Sequence, residues 1–343
     1  METFALTDNA LGHLTSAVQF GFITGTLVFA ALTIADRFSP SKVFFASALL
    51  GAIFNLEIIW EGNSFLSLLS LRFGTGFFLA GIYPVGMKIA TDYYEKGLGK
   101  SLGFLVGALV IGTAFPHLLK SITADFEWQS LIIATSSLAI IGGLLMILLV
   151  PNGPFRKPGT GVDLSAFFRV FKNRSFRAAA FGYFGHMWEL YAFWAFVPVI
   201  LSAYIQLHPQ TSFSIPVLSF LVIGIGGLAC VIGGYLAHIF GTKKVASTAL
   251  FLSGVCCLVS PFIFETNSQQ LFIGFLLFWG MVVIADSPLF STLVAQHASP
   301  EIKGTALTIV NCIGFSITIV SIQLISLVHE VTGSNIVYML LAI

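Results

Sequence analysis

Four ionisable side chains stand inside long apolar runs of this sequence, where a charge is costly. Arg72, His186, Glu189 and Asp286 each lie within a stretch long enough, at about 20 residues, to cross a membrane. His186 and Glu189 are three positions apart, which places them on one face of a helix. A His and a carboxyl group in a low-dielectric site can exchange protons near neutral pH. We therefore predict that His186, Glu189 and Asp286 serve proton coupling or solute contact, and that Arg72 attracts an anion.

Each of these residues also has a structural alternative. Arg72 can snorkel to the outer interface or brace the helices around it. The His186–Glu189 pair can be a satisfied bridge within the bundle. Asp286 can accept hydrogen bonds where Pro288 disrupts its helix; its functional role would be that of a proton site or of a counter-charge to Arg72.

Further polar and aromatic residues are predicted to line the same cavity. Tyr83 follows Arg72 by about three helical turns on the same face. Trp188 and Tyr191 flank Glu189, and Asn311 lies within the last long apolar run. The aromatic residues have an alternative role as packing or membrane-interface anchors.

The composition excludes most soluble functions. The chain has 343 residues, of which 57% are hydrophobic and 9% charged, whereas soluble domains carry about 25% charged residues. A net charge of +1 without a basic run speaks against nucleic-acid binding. The sequence contains no Walker loop and no catalytic motif, and its 4 Cys lack metal-ligand spacing. We expect no enzyme activity, no cofactor and no metal.

The elements that position these residues are predicted to be membrane-spanning helices, because backbone groups in lipid must be satisfied within a segment. Ten apolar runs are long enough: 15–35, 43–60, 65–90, 101–119, 128–150, 177–204, 213–240, 245–264, 271–296 and 305–328. Residues 335–343 form an apolar stub that is too short to cross. Of the 16 Lys and Arg residues, 14 fall on one side of this arrangement and 2 on the other, which predicts that the first side is cytoplasmic.

A polar stretch divides the chain into two halves. We predict an N-terminal bundle over residues 1–150, a cytoplasmic linker over 151–176 and a C-terminal bundle over 177–343. An internal repeat supports this division, because the short turns around Asp36 and His238 share a pattern at an offset of 202 residues (238 minus 36). Parallel repeats of this kind are typical of two-bundle transporters.

Three segments carry a resemblance to the major facilitator superfamily (MFS). The turn over residues 234–244 resembles that family's G-x-L-A-D-R-x-G-R-K loop, Asp36-Arg37 matches the acid–base core of the same motif, and residues 72–84 resemble the family's fourth helix. The resemblance implies an all-α membrane protein with the MFS two-bundle fold, and a cytoplasmic gate formed by Asp36, Arg37, Gly241 and Lys243. It also implies that helix 1 and most of helix 12 of the family are missing, leaving ten full helices and a stub.

The function predicted from these features is secondary active transport of a small solute, which we expect to be anionic, by proton-coupled alternating access. One alternative is efflux of drug-like or metabolite molecules. Another is a non-transporting sensor or an inactive truncated transporter. We expect a monomer embedded in the lipid bilayer of the plasma membrane, or of the inner membrane in a bacterium, with a small-molecule substrate and protons as its partners.

Overall fold

The computed structural model describes residues 10–94, 98–122, 127–156, 171–298 and 303–342, and these are almost entirely helical. Two 3-10 segments, Glu57–Ile59 and Asn335–Ala342, accompany the α-helices. The helices are α1 (Ala10–Ala31), α2 (Ile34–Arg37), α3 (Pro40–Leu56), α4 (Phe65–Leu79), α5 (Tyr83–Tyr93), α6 (Leu98–Ile122), α7 (Trp128–Leu149), α8 (Arg174–Leu207), α9 (Ile215–Phe240), α10 (Thr242–Phe264), α11 (Gln269–Ala285), α12 (Ser287–His297) and α13 (Lys303–Thr332).

Ten helical segments in the described part of the chain are long and apolar enough to cross a membrane, which confirms the ten predicted crossings. Their ends differ from the prediction by a few residues. For example, α8 begins at Arg174 rather than 177, because the side chain of Asn173 accepts hydrogen bonds from the backbone amides of Ser175 and Phe176. Such a side-chain cap satisfies amide groups that have no partner within the helix.

Two of the crossings, predicted over 65–90 and 271–296, are interrupted. Only the second interruption, near Pro288, was among the alternatives drawn from the sequence. The first breaks between α4 and α5, where Gly81 packs against the side chains of Ser47 and Phe29. The second breaks at Asp286, between α11 and α12. A proline at the second position of each new helix, Pro84 or Pro288, has no amide hydrogen with which to continue the preceding helix.

The first of two compact units contains α1 to α5, α7 and the first part of α13. Within it, α1 packs on α4, α4 on α3, and α3 on α7. The contact between α1 and α4 is close because glycines remove the side chains that would separate the backbones: Gly21 faces the carbonyl of Phe73, and Gly76 faces that of Val18. Small residues at this spacing are a common device for packing membrane helices.

The second unit contains α6 from Gly99, α8 to α12, the end of α13 and the segment 335–342. Here α9 packs on α11, α11 on α10, and α10 on the segment 335–342. The packing order of the first unit therefore recurs in the second. The two helix breaks also correspond, because Tyr83 and Ser287, which begin the new helices, are 204 residues apart (287 minus 83). This value is close to the 202-residue offset of the sequence repeat.

The contact-based units differ from the predicted bundles in their membership. Residues 99–122 belong to the second unit, although the sequence placed them in the N-terminal bundle, and residues 303–319 belong to the first unit, although the sequence placed them in the C-terminal bundle. The bundle boundaries at 150 and 177 therefore stay a prediction about the two halves of the sequence repeat. The compact units describe which helices pack together.

Candidate functional site

His186 and Asp286 meet in the interior of the second unit. Nδ1 of His186 lies 2.8 Å from Oδ1 of Asp286, and both side chains are fully buried. This separation is that of a charge-assisted contact, although the groups are not oriented for a well-aligned hydrogen bond. The other ring nitrogen, Nε2, has no hydrogen-bond partner among the residues that the structure describes. The pair therefore retains capacity to bind a proton or a polar group of a solute.

The helix break positions Asp286. The residue follows the last residue of α11, and its backbone carbonyl accepts the amide of Phe290 over 2.8 Å. Asp286 therefore occupies the capping position of α12, where the free amides at the start of a helix favour a negative charge. The break between α11 and α12 thus sets a buried carboxyl group against His186 of α8.

Glu189 lies on the same helix as His186, and it is also buried, with 2% of its surface exposed. Trp279 of α11 donates its indole N–H to Oε1 over 2.7 Å, and the thiol of Cys257 lies 3.3 Å from the same oxygen. The hydroxyl of Ser253 donates to Oε2 over 2.7 Å. This carboxyl group therefore connects α8 with both α10 and α11.

The surroundings of Glu189 accommodate two protonation states. The hydroxyl of Ser253 also lies 3.2 Å from the backbone carbonyl of Leu250, and a hydroxyl has only one hydrogen to donate. When Glu189 is ionised, that hydrogen serves Oε2. When Oε2 carries a proton, the hydroxyl of Ser253 can donate to the carbonyl of Leu250 and accept a hydrogen bond from the protonated Glu189, so that both groups keep a partner.

The structure brings His186, Glu189 and Asp286 into one region, but it pairs them differently from the expectation. His186 contacts Asp286 rather than Glu189, whereas Glu189 is held by Ser253, Cys257 and Trp279. Sequence reasoning missed the three donors, because a Ser, a Cys and a Trp in apolar helices carry no motif. Their roles in coupling stay predictions.

Trp188 and Tyr191 point to different surroundings. The indole N–H of Trp188 donates to the backbone carbonyl of Leu340 over 2.8 Å, which ties α8 to the segment 335–342. The ring of Tyr191 stands edge-on to that of Trp194, with centroids 5.3 Å apart. These contacts are packing contacts within the second unit, so the predicted lining role of both residues has no support from them.

The remaining cavity candidates lie in the first unit. Arg72 is half-buried, and its Nη1 lies 3.4 Å from Oδ1 of Asn55. The amide of Asn55 in turn donates to Ser136 of α7 over 2.9 Å. Tyr83 is half-buried at the start of α5, and Asn311 is buried in α13. Arg72 thus contacts α3, and this contact is with an amide rather than a carboxylate.

The predicted gate residues stand at two helix junctions. Arg37 ends α2 and is exposed, while the side chain of Asp36 lies outside the described residues. Gly241 joins α9 to α10 with φ +91, a backbone conformation that favours glycine, and Lys243 is exposed in the first turn of α10. Their gating role stays a prediction.

A contact near the first junction was not anticipated from the sequence. The guanidinium of Arg156 donates to the backbone carbonyl of Phe38 over 2.8 Å, and the hydroxyl of Ser41 donates to that of Val150 over 2.6 Å. The segment that follows α7 therefore holds the turn between α2 and α3.

The ten crossings define an integral, multi-pass membrane protein with buried ionisable groups. Its family follows from comparison with known proteins. The chain belongs to the Major Facilitator Superfamily, whose sequence model matches residues 1–322. This membership confirms the resemblance carried by the turn motifs, and it indicates a transporter rather than an enzyme.

Solved structures of transporters share the fold. The fucose:proton symporter FucP of E. coli aligns with a TM-score of 0.69 at 13% identity, over 98% of this chain and 88% of that one. The human organic anion transporter MFSD10 (TETRAN) aligns with a TM-score of 0.67 at 16% identity, over 97% of this chain and 80% of that one. The nucleoside transporter NupG aligns with a TM-score of 0.70 at 15% identity, over 97% of this chain and 87% of that one. A search among curated proteins gave no match. At these identities the likeness concerns the fold alone.

Proposed function

We propose that this chain is a secondary active transporter in which proton binding at His186, Glu189 and Asp286 drives the alternating exposure of a small solute. One observation carries this proposal: three ionisable side chains, none more than 2% exposed, lie together in a membrane-spanning bundle. Such groups are expensive in a membrane and mark proton or substrate paths in many membrane proteins.

The two carboxyl groups have different parts in the proposed coupling. Glu189 can take up a proton on Oε2 while Ser253 exchanges its acceptor, so that its hydrogen bonds are kept in both states. Asp286 faces His186, so that a proton arriving there removes a charge contact. A proton can drive transport only when its affinity differs between the two exposed states. A change in the distance between α8 and α11 would supply that difference.

Proteoliposomes with an imposed pH gradient test the coupling. A panel of small organic anions and neutral metabolites is first screened for thermal stabilisation of the purified protein. With a solute that binds, we expect solute-dependent proton influx, reported by an internal pH dye, in the wild type. Glu189→Gln and Asp286→Asn should abolish that influx while sparing solute exchange. Glu265→Gln, at an exposed carboxylate of the same unit, is the control. Unchanged proton influx in both buried variants would remove the proposal.

An anionic solute is the second part of the proposal, and it rests on Arg72. In the described portion of the chain, no carboxylate lies within ion-pair distance of this guanidinium, so its charge is available to a substrate. Arg72→Gln preserves a polar contact with Asn55 but removes the charge. We expect the variant to lose stabilisation by anionic solutes and Arg72→Lys to retain part of it. Equal stabilisation of all three proteins would assign Arg72 to bracing.

Orientation and location complete the proposal. The excess of Lys and Arg on one side supports a cytoplasmic linker in the plasma membrane. Single cysteines placed at Asn63 and Asn152, in a background without the native cysteines, test it in whole cells. A membrane-impermeant thiol reagent should label the cysteine at position 63 and spare that at 152, and the reverse result would invert the topology.

A further inference from the structure

An apolar cavity of about 470 Å³ opens between α9, α10 and α11 in the second unit. Its walls are formed by aliphatic and aromatic side chains from all three helices, and its lining includes Ala229 and Phe240 of α9 and Ala285 of α11. The polar side chains of the lining are Thr248 and Lys244, and it has no acidic residue. This volume lies within the range of about 300–1,000 Å³ that is usual for small-molecule sites.

The cavity extends from a helix junction to the middle of the helices. Its lining covers α9 from Ala229 to Phe240, which are 11 residues apart (240 minus 229). At about 1.5 Å per residue this corresponds to about 16 Å. Half of a hydrocarbon core of about 30 Å has nearly the same thickness. The cavity therefore matches the depth of one leaflet of a bilayer.

The charge of the cavity is confined to its mouth. Lys244 is exposed and lies in the first turn of α10, just after the junction at Gly241. Gly241 has no side chain with which to cap α10, so the first amides of that helix add to the positive potential. An apolar groove one leaflet deep, with a cation at its mouth and no acid in its lining, complements a negatively charged head group and a hydrocarbon chain.

We propose that this groove, which we call the α9–α11 groove, binds one anionic phospholipid, with an acyl chain along the apolar walls and the phosphate at Lys244. A free inorganic or organic phosphate would satisfy Lys244 but would leave the apolar walls unfilled. A zwitterionic lipid carries its own cation, for which the lining offers no carboxylate. The groove is separate from the buried groups proposed for proton coupling, so this lipid site does not depend on the transport function.

Native mass spectrometry of the purified protein tests the site. The protein is equilibrated with mixed micelles of phosphatidylglycerol and phosphatidylcholine that have the same acyl chains. We expect one phosphatidylglycerol molecule to be retained in preference to phosphatidylcholine. Lys244→Gln should reduce this preference about fivefold, because one lysine near an anionic surface contributes about that factor. Lys243→Gln, at the adjacent exposed lysine outside the lining, should keep most of it.

A second pair of variants tests the apolar part of the groove. Thr248→Trp fills the groove from the wall of α10, whereas Ser247→Trp adds the same bulk at an exposed position outside it. We expect retained lipid to disappear in the first variant and to persist in the second. Soluble glycerol phosphate should not displace the lipid. Equal retention of the two lipids by the wild type, matching effects of the two lysine variants, or displacement by glycerol phosphate would each overturn the proposal.

Discussion

The indole N–H of Trp279 donates to Oε1 of Glu189 over 2.7 Å, and both side chains are buried within the second unit. An indole nitrogen can only donate, so Oε1 acts as an acceptor whenever this contact is made. The variable position is Oε2, where Ser253 can either donate or accept. The proton site that we propose is therefore Oε2, while Oε1 keeps its hydrogen bond from Trp279.

The first prediction concerns what replaces Glu189. In Glu189→Gln the amide oxygen still accepts from Trp279, and the amide nitrogen donates to Ser253. We therefore expect an unfolding temperature close to that of the wild type. Glu189→Leu leaves the buried indole N–H of Trp279 without its acceptor, whereas Ser253 can still donate to Leu250, and one unsatisfied buried donor costs about 1–3 kcal/mol. Thermal unfolding in detergent, followed by tryptophan fluorescence, measures the difference. If the two variants unfold at the same temperature, the hydrogen bonds to Glu189 do not contribute to stability.

The second prediction concerns the coupling of His186 to Asp286. Removing one partner of a buried pair typically costs about 3–5 kcal/mol, so we expect His186→Ala and Asp286→Ala each to destabilise the protein. The double variant should lose less than the sum of the two losses, with a coupling energy of about 0.5–3 kcal/mol. The measurement is a double-mutant cycle of unfolding free energies.

A matched cycle tests whether this coupling is specific. This cycle combines His186→Ala with Glu265→Ala, a substitution at an exposed carboxylate. The losses of unfolding free energy at distant sites are expected to be additive. Additivity in the His186–Asp286 cycle as well would mean that the 2.8 Å contact has no energetic consequence.

The sequence predicted the membrane crossings well because their signal is local. A run of about 20 apolar residues forms a helix in a bilayer whatever its neighbours are. The break before Pro84 was not predicted, because that proline occurs in a span that is apolar on both sides, and proline in a membrane helix is often tolerated. Disruption near Pro288 was one of the alternatives for Asp286.

The partners of the buried groups depend on information that a single sequence does not contain. His186 and Glu189 share a helix face, so the sequence suggested that they pair. Helix packing instead sets His186 against Asp286, which is 100 residues away (286 minus 186), and surrounds Glu189 with Ser253 and Trp279. The rotation of each helix about its own axis decides these contacts, and it results from the close packing of whole helices.

The third prediction concerns the contact of α6 with α9. A methyl group added at Gly107 would lie 2.8 Å from the backbone carbonyl of Gly227, and the reciprocal distance is 2.9 Å. Gly107→Ala therefore forces two helix backbones apart, and we expect a loss of about 1–3 kcal/mol. Gly112→Ala in the same helix meets nothing within 4 Å, so it should be neutral or stabilising. Equal melting temperatures for these two variants would contradict the close contact.

The last prediction concerns the junction between α9 and α10. Gly241 has φ +91 and ψ 137, a combination that side chains avoid, and no atom lies within 4 Å of an added Cβ. Gly241→Ala is therefore expected to lower the free energy of unfolding by about 1–3 kcal/mol, through backbone strain alone. Gly254→Ala, within α10 and equally free of contacts, should stabilise the protein by up to about 1 kcal/mol. Thermal unfolding of the two variants should shift in opposite directions. A shift of Gly241→Ala toward higher stability would mean that the junction does not hold this conformation in the membrane.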